Sequence, residues 1–396
     1  MNFRTNKSSP QKVLIFGSAM HIWSDLFFAL LVPLLPHIKE ELNLSYTSIG
    51  LLRSVYSGSS AILQIPAGLV AESTGEFWML LGGNIWVGLG LIVMAIVPGF
   101  LPLIGATALG GLGGGTQHPL ASSMVSRAYD SAGRSTAVGT VNFSGDIGKM
   151  IAPIVAGLLV MLGGWRATMW IVGAAGSAFM CISVFTRRHF DMGKPLIEQS
   201  PEKWNRGESG NSSSIVGFIV LTGIGILDSA TRSSILVFFP FIFMERGMGE
   251  SEVGVALFLL FAGGAAGKYI CGWLDDRTGT LPLIWATKGM TTVLLVSTIF
   301  VPSFVLWPLA LILGVGLNGT SSVLYATVAK FIPTNKRARY YGLFYTTNEI
   351  GTVGAPLGYG LVADMLGLNR SLMTMGAITA TILPASLALK RYLSVS

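Results

Sequence analysis

Long apolar runs, broken at short intervals by polar clusters, set the pattern of this chain. Twelve of them fall near residues 12–37, 46–71, 77–98, 100–128, 133–161, 165–186, 214–245, 250–275, 281–301, 303–332, 336–364 and 369–391. Each has the roughly 20 residues that an α-helix needs to cross the hydrocarbon core of a bilayer. The one long polar segment, 187–213, separates six runs from six and reads as a flexible linker. The pattern predicts an all-α polytopic membrane protein of twelve transmembrane helices in two pseudo-symmetric six-helix halves, 1–186 and 214–396. The first run continues from Lys12 through Pro36, too long for the apolar core of a signal peptide, and no small-residue cleavage site follows. It is expected to stay as the first span.

Composition strengthens this picture. Charged residues are 11% of 396, against about a quarter in soluble domains. Apolar residues are 51%, and the 50 glycines fit membrane helices, where glycine is commoner than in soluble ones. The net charge of +7 raises nucleic acid as a partner, and the positions of the basic residues exclude it. With twelve spans, seventeen basic residues fall on the side of the termini. Four, Lys39, Arg166, Arg246 and Arg370, fall on the other. That bias places both termini and the linker in the cytoplasm, and the protein is expected in the cytoplasmic (inner) membrane. Cys181 and Cys271 lie inside apolar runs, and His21, His37, His118 and His189 show no triad or metal spacing. Neither an enzyme nor a metal or other bound cofactor is expected, and a proton gradient would supply the energy.

The halves resemble each other at an offset of 203 to 204 residues. Pro36, Gly50, Gly68 and Gly75 fall on Pro240, Gly254, Gly272 and Gly279; Gly139, Asp146, Gly148, Pro153 and Gly157 fall on Gly342, Glu349, Gly351, Pro356 and Gly360. An even number of spans separates the copies, so their topology is parallel. Such repeats are related by an axis along the membrane normal, with a site expected at their interface near the midplane.

Ionisable groups at bilayer depth are costly and mark function by default. Asp25, Asp146 and Glu349 lie about thirteen residues from the cytoplasmic ends of their spans and Asp228 about fourteen, roughly 20 Å deep at 1.5 Å per residue. His21 and Asp25, four apart, share a helix face. Burial disfavours a charged carboxylate and histidine titrates near neutrality, so the pair can take and release a proton; the plainer reading is a structural hydrogen-bonded pair. Gln117 and His118 precede Pro119, which frees a carbonyl and bends the helix. They are candidates to hydrogen-bond a substrate, a packing histidine being the alternative. Asp146 with Lys149 and Asp228 with Arg232 have the spacing of same-helix pairs, unless the cations are released to an anionic substrate. Glu349, beside Asn348, needs a partner from another helix, water or a proton. Arg53, Lys268 and Lys288 read as snorkelling side chains near span ends, with Arg53 otherwise a cavity cation. Asn142, Tyr325 and Tyr345 complete the candidates for substrate contact, with Trp23 and Phe344 as further aromatics that line a cavity or pack.

Two motifs carry a family resemblance. Gly139, Gly148, Ala152, Pro153, Ala156 and Gly157 follow G-x8-G-x3-G-P-x2-G-G with alanine at two glycine positions, similar to the antiporter motif of the major facilitator superfamily. GLVAESTGEF, Gly68 to Phe77 and including Glu72 and Gly75, resembles a worn form of that superfamily's loop motif. GWLDDRTGTL, Gly272 to Leu281, keeps its Asp276 and Arg277. Within the superfamily, MHIWSD around His21 and Asp25, GLGGGTQHPLASSMVSR around His118, and Thr107 where many antiporters carry arginine resemble the fosmidomycin-resistance-type exporters. The resemblance implies a monomeric, proton-coupled secondary transporter working by alternating access. It implies export of small organic or amphipathic compounds by proton antiport, with proton-coupled import of an organic anion as the alternative. Gly68, Glu72, Gly75, Asp276, Arg277, Gly148 and Pro153 would serve gating and helix packing.

Overall fold

The computed structural model describes residues 9–129, 131–189, 215–331 and 337–393, and every regular element among them is a helix. This is what a bilayer demands of the backbone, since an amide in lipid must find its partner within its own segment. The α-helices are α1 (Pro10–Glu41), α2 (Tyr46–Thr74), α3 (Glu76–Ile96), α4 (Phe100–Leu112), α5 (Gln117–Ala128), α6 (Ser131–Ser183), α7 (Ile215–Glu245), α8 (Glu250–Thr278), α9 (Thr280–Phe300), α10 (Leu306–Phe331), α11 (Arg337–Leu366), α12 (Leu368–Ala380) and α13 (Ile382–Leu393). Residues 190–214, most of the expected linker, lie outside the described residues.

Three boundaries differ from those the hydrophobic pattern predicts. The run 100–128 is α4 and α5 joined by a 3₁₀ turn at Gly113–Thr116. The runs 133–161 and 165–186 lie along α6, which breaks at Gly163 and Gly164, and the second continues into a 3₁₀ turn at Val184–His189. Gly164 has φ 71°, a left-handed conformation that costs a glycine little. The last run divides at Thr381 into α12 and α13. Eight helical stretches among the described residues are long and apolar enough to cross a membrane, the longest, Thr136–Thr186, having length for two passages. Helices α2 and α11 are not among them.

The described residues form two compact units, those within 1–34 and 55–204 and those within 35–54 and 205–396. Each has its own core, and the cores use corresponding positions. Met20, Leu80, Val125 and Val141 belong to the first; Ile224, Ile284, Val328 and Phe344, displaced by 203 or 204, belong to the second. Helix contacts repeat in the same way. A Cβ on Gly148 would collide with the α1 backbone at Ile22, and one on Gly351 with the α7 backbone at Ile226. Small residues at both places let helix backbones meet.

Matched ends receive matched caps. Arg166 Nη1 donates to the carbonyls of Ala95 and Val97, each at 2.9 Å, where α3 ends. Arg246 does the same for α9, donating to Ile299 O at 2.8 Å and to Thr298 and Val301. The arginines come from different places in sequence, so two of the four basic residues assigned to the sparsely charged side are engaged as helix C-caps.

Within the second unit, Asp364 near the end of α11 accepts from the amides of Tyr46 at 2.7 Å and Thr47 at 2.8 Å, the first residues of α2. A carboxylate there satisfies amides the helix cannot, and it meets the positive end of the helix dipole. Removing it as Asp364→Ala is expected to speed hydrogen exchange of the 44–50 peptide by about two- to thirtyfold, the equivalent of losing an N-cap worth roughly 0.5–2 kcal/mol. Mass spectrometry of the exchanged protein reads this, and unchanged exchange would show that the cap does not hold the turn.

Candidate functional site

The first unit builds its polar site around Asp25 on α1, only 3% exposed. Lys149 of α6 places Nζ 2.9 Å from Asp25 Oδ2, and keeps Asp146 as a second partner at 3.3 Å. His21 Nε2 lies 3.6 Å and His118 Nε2 3.7 Å from the same carboxylate. The imidazoles share a hydrogen bond, His21 Nε2 to His118 Nδ1, at 3.1 Å. The i, i+4 spacing puts His21 above Asp25, and Gly145 on α6 leaves room for both, since a Cβ there would strike the carboxylate and the ring. The 3₁₀ turn leads into α5, which delivers His118. The His118 side chain is 55% exposed, whereas His21 and Asp25 are buried.

A carboxylate buried this deeply needs a compensating charge, and Lys149 supplies it. The ligand atoms of His21, Asp25 and His118 lie within 4.8 Å of one another, close enough to converge on a cation. The ammonium of Lys149 on the same carboxylate already fills that role. The expected pairs His21–Asp25 and Asp146–Lys149 are both present. The sequence did not reveal that they join through the Asp25–Lys149 contact.

Gln117 is buried, and its Oε1 accepts from Asn84 Nδ2 at 3.0 Å, which directs it toward α3. Asn142 is exposed on α6, donating to Val138 O at 3.0 Å.

The second unit holds a different cluster. Asp228 of α7 pairs with Lys288 of α9, which is fully buried and also donates to Gly316 O at 3.4 Å. This corrects the expectation that Lys288 snorkels: its ammonium is turned inward to Asp228. Arg232 donates to Ser229 Oγ at 3.2 Å, bonds to Tyr325, and lies in the field of Asp228 and Glu349. Glu349 has Arg232 and Arg53 as its electrostatic partners, from other helices as expected. Tyr325 stacks on Tyr345 with centroids 4.5 Å apart and bonds to Asn348, which is buried against Gly225.

Loop-motif residues mark the helix ends. Gly75 and Gly279 turn between α2 and α3 and between α8 and α9 with φ of 85° and 80°. Beside Gly75, buried Glu76 pairs with Arg127 and accepts from Ser123 at 2.6 Å. In the second unit Lys330 donates to Thr280 at 3.0 Å and lies 3.9 Å from Asp275. Arg277 stacks over Trp273 at 3.6 Å. The side chains of Glu72 and Asp276 lie outside the described residues. Gly68 faces open space, while Gly148 and Pro153 lie on α6, Gly148 at the α1 contact. Lys288, Glu76, Arg127 and Asp275 are the site and motif residues that sequence reasoning missed. The offset that carries Glu76 to Thr280 and Arg127 to Lys330 was the available signal.

The family model for the Major Facilitator Superfamily matches residues 18–356 and again 221–392. The chain belongs to the Major Facilitator Superfamily. As a member it is a multi-pass membrane protein and a secondary-active transporter of small organic compounds, without catalytic chemistry. Superfamily transporters generally draw on ion gradients rather than bound cofactors. The chain is 24% identical over 380 residues to the "Probable 4-methylmuconolactone transporter" of Cupriavidus pinatubonensis, covering 92% of this chain and 87% of that one. It is likewise 24% identical over 360 residues to the "Fosmidomycin resistance protein" of Escherichia coli, covering 88% and 85%. Its fold matches a bacterial homolog to the human lysosomal transporter Spinster in an inward-facing and occupied conformation, with TM-score 0.84, 15% identity and 97% of each chain covered.

Proposed function

We propose that this superfamily member is a proton-coupled antiporter that exports small organic or amphipathic compounds by alternating access. In this reading it crosses the inner membrane twelve times, in halves 1–186 and 214–396 joined by the linker 187–213, with both termini cytoplasmic, and acts as a monomer.

The observation that carries the proposal is Asp25, buried among Lys149, His21 and His118. An antiporter makes its two crossings with different loads, and its coupling carboxylate must be tolerated in both. Lys149 neutralises Asp25 in the substrate-loaded crossing, and a proton entering at His118 neutralises it in the return. Similarity to a fosmidomycin resistance protein supports export. One observation favours the alternative, proton-coupled import of an organic anion: protonating Asp25 leaves Lys149 with Asp146 as its one remaining carboxylate here, and the side of the ammonium that faced Asp25 can then take an anion. Similarity to a 4-methylmuconolactone transporter fits that reading.

Inside-out vesicles separate the two. With an acidic lumen, fosmidomycin or another small test compound is expected to accumulate in the vesicles, and a protonophore should abolish the accumulation. Accumulation by intact cells on acidifying the medium, with none in vesicles, would replace export with import.

A further inference from the structure

His21, Asp25 and His118 converge in the first unit, their ligand atoms within 4.8 Å of one another. His21 Nε2 and His118 Nδ1 are 3.1 Å apart, and His21 Nε2 lies 3.6 Å from Asp25 Oδ2. Ligands bound at about 2.0–2.1 Å to a tetrahedral zinc ion stand about 3.3 Å from each other, so these separations suit a set of two imidazoles and one carboxylate. His21 and Asp25 are one turn apart on α1, the i, i+4 arrangement by which a single helix face holds a metal. His118 arrives on α5, and its exposure leaves one side of the group uncovered by protein, as an entering ion requires.

The far side of the His21 ring fits the same use. Among the described residues, His21 Nδ1 and Ser18 Oγ, three residues back along the same helix face, are buried without hydrogen-bond partners. A metal on Nε2 moves the hydrogen shared by the two rings onto an outer nitrogen. On Nδ1 of His21 it gives Ser18 Oγ a donor on its own helix face, the kind of outer contact that metal-bound histidines ordinarily make.

We propose that His21, Asp25 and His118 form a binding site for a divalent transition metal, with Zn²⁺ as the type, and that the ion takes Asp25 from Lys149. In the arrangement described, the ammonium is the cation on Asp25, at 2.9 Å, and it has Asp146 at 3.3 Å to turn to. The donors select the metal: imidazole suits Zn²⁺, Cu²⁺ and Ni²⁺, whereas Mg²⁺ and Ca²⁺ need more oxygen ligands than one carboxylate offers. Lys149 sets the affinity, because its charge repels an ion a few ångströms away. The second unit has no equivalent, since Gly225, Ser229 and Ser322 stand at the offset of 204. On the transport reading proposed above, a metal on Asp25 excludes its proton, so the ion acts as an inhibitor.

The test is a binding measurement without transport, so failure of the transport reading and failure of this site give separate results. Purified full-length protein without a histidine tag is titrated with ZnCl₂, CoCl₂ and MgCl₂. Calorimetry reads the binding, and for Co²⁺ so does the strong visible absorption of the tetrahedral ion. Zn²⁺ and Co²⁺ are expected to bind at about one ion per chain and Mg²⁺ to fail. His118→Ala and Asp25→Asn should each weaken Zn²⁺ binding by about tenfold or more, since even the outer contacts of a metal site are worth about ten- to hundredfold. Lys149→Met should tighten it by about tenfold or more, because the competing charge is gone, and Zn²⁺ should raise the melting temperature of that variant more than that of the wild type. His37→Gln with His189→Gln, which removes the other histidines, should leave the binding unchanged. Should Lys149→Met fail to fold, the wild type beside His118→Ala makes the decision. The proposal is overturned if Zn²⁺ binds no better than Mg²⁺, if His118→Ala binds it like wild type, if the His37 and His189 variant loses the binding, or if Lys149→Met folds and binds no more tightly.

Discussion

Asp25→Asn is expected to reduce gradient-driven transport to the level seen without a gradient, while substrate exchange across proteoliposomes at equal pH continues. Asparagine keeps the shape of the carboxylate and cannot carry its proton. Lys149 keeps Asp146 at 3.3 Å, so the variant does not strand a cation. Retained coupling would remove Asp25 from the proton pathway, and loss of both activities would make it a structural residue. Lys149→Met provides the converse case, leaving a buried carboxylate beside two histidines. Breaking a buried pair from one side costs about 3–5 kcal/mol; the lower end applies here because Lys149 is about one-third exposed. The double variant Asp25→Asn with Lys149→Met should regain most of that loss in a thermal melt.

Arg127→Gln is expected to destabilise the protein by a similar amount, about 3 kcal/mol, because among the described residues it leaves buried Glu76 with Ser123 as its side-chain hydrogen-bond donor. Glu76→Gln added to Arg127→Gln should recover most of the loss, since the stranded charge and not the missing contact is the main cost. Urea or thermal unfolding of the purified protein checks this. A double variant as unstable as the single one would show that packing around Arg127, rather than charge, holds the α3–α5 end together.

Much of the fold was legible because a bilayer imposes a length and a polarity on every element. The run 77–98 is α3 with its ends moved by a residue or two, and the run 250–275 is most of α8. Two of the three boundaries that moved lie in glycine-rich stretches, where GLGGGT and LGG give no side-chain signal to separate a helix from a turn. Same-helix relations were legible too: His21 with Asp25 and Asp146 with Lys149 follow from spacing alone. Relations between helices were not. Spacing gives the depth of a residue along its own axis and leaves its rotation about that axis open, so Lys288 looked like a surface lysine although it faces Asp228 on another helix. For the same reason the contact of His118 with His21, 97 positions apart, had no signature.

The space at the crossing of corresponding helices is filled from opposite sides. In the first unit His21 projects from α1 and α6 yields with Gly145; at the corresponding positions α7 yields with Gly225 and Asn348 projects from α11. The two positions of each pair are therefore coupled, because a side chain on both helices would not fit and one on neither would leave a void. Placing a histidine at the corresponding point of α7 would therefore need Gly225→His and Asn348→Gly introduced as one step.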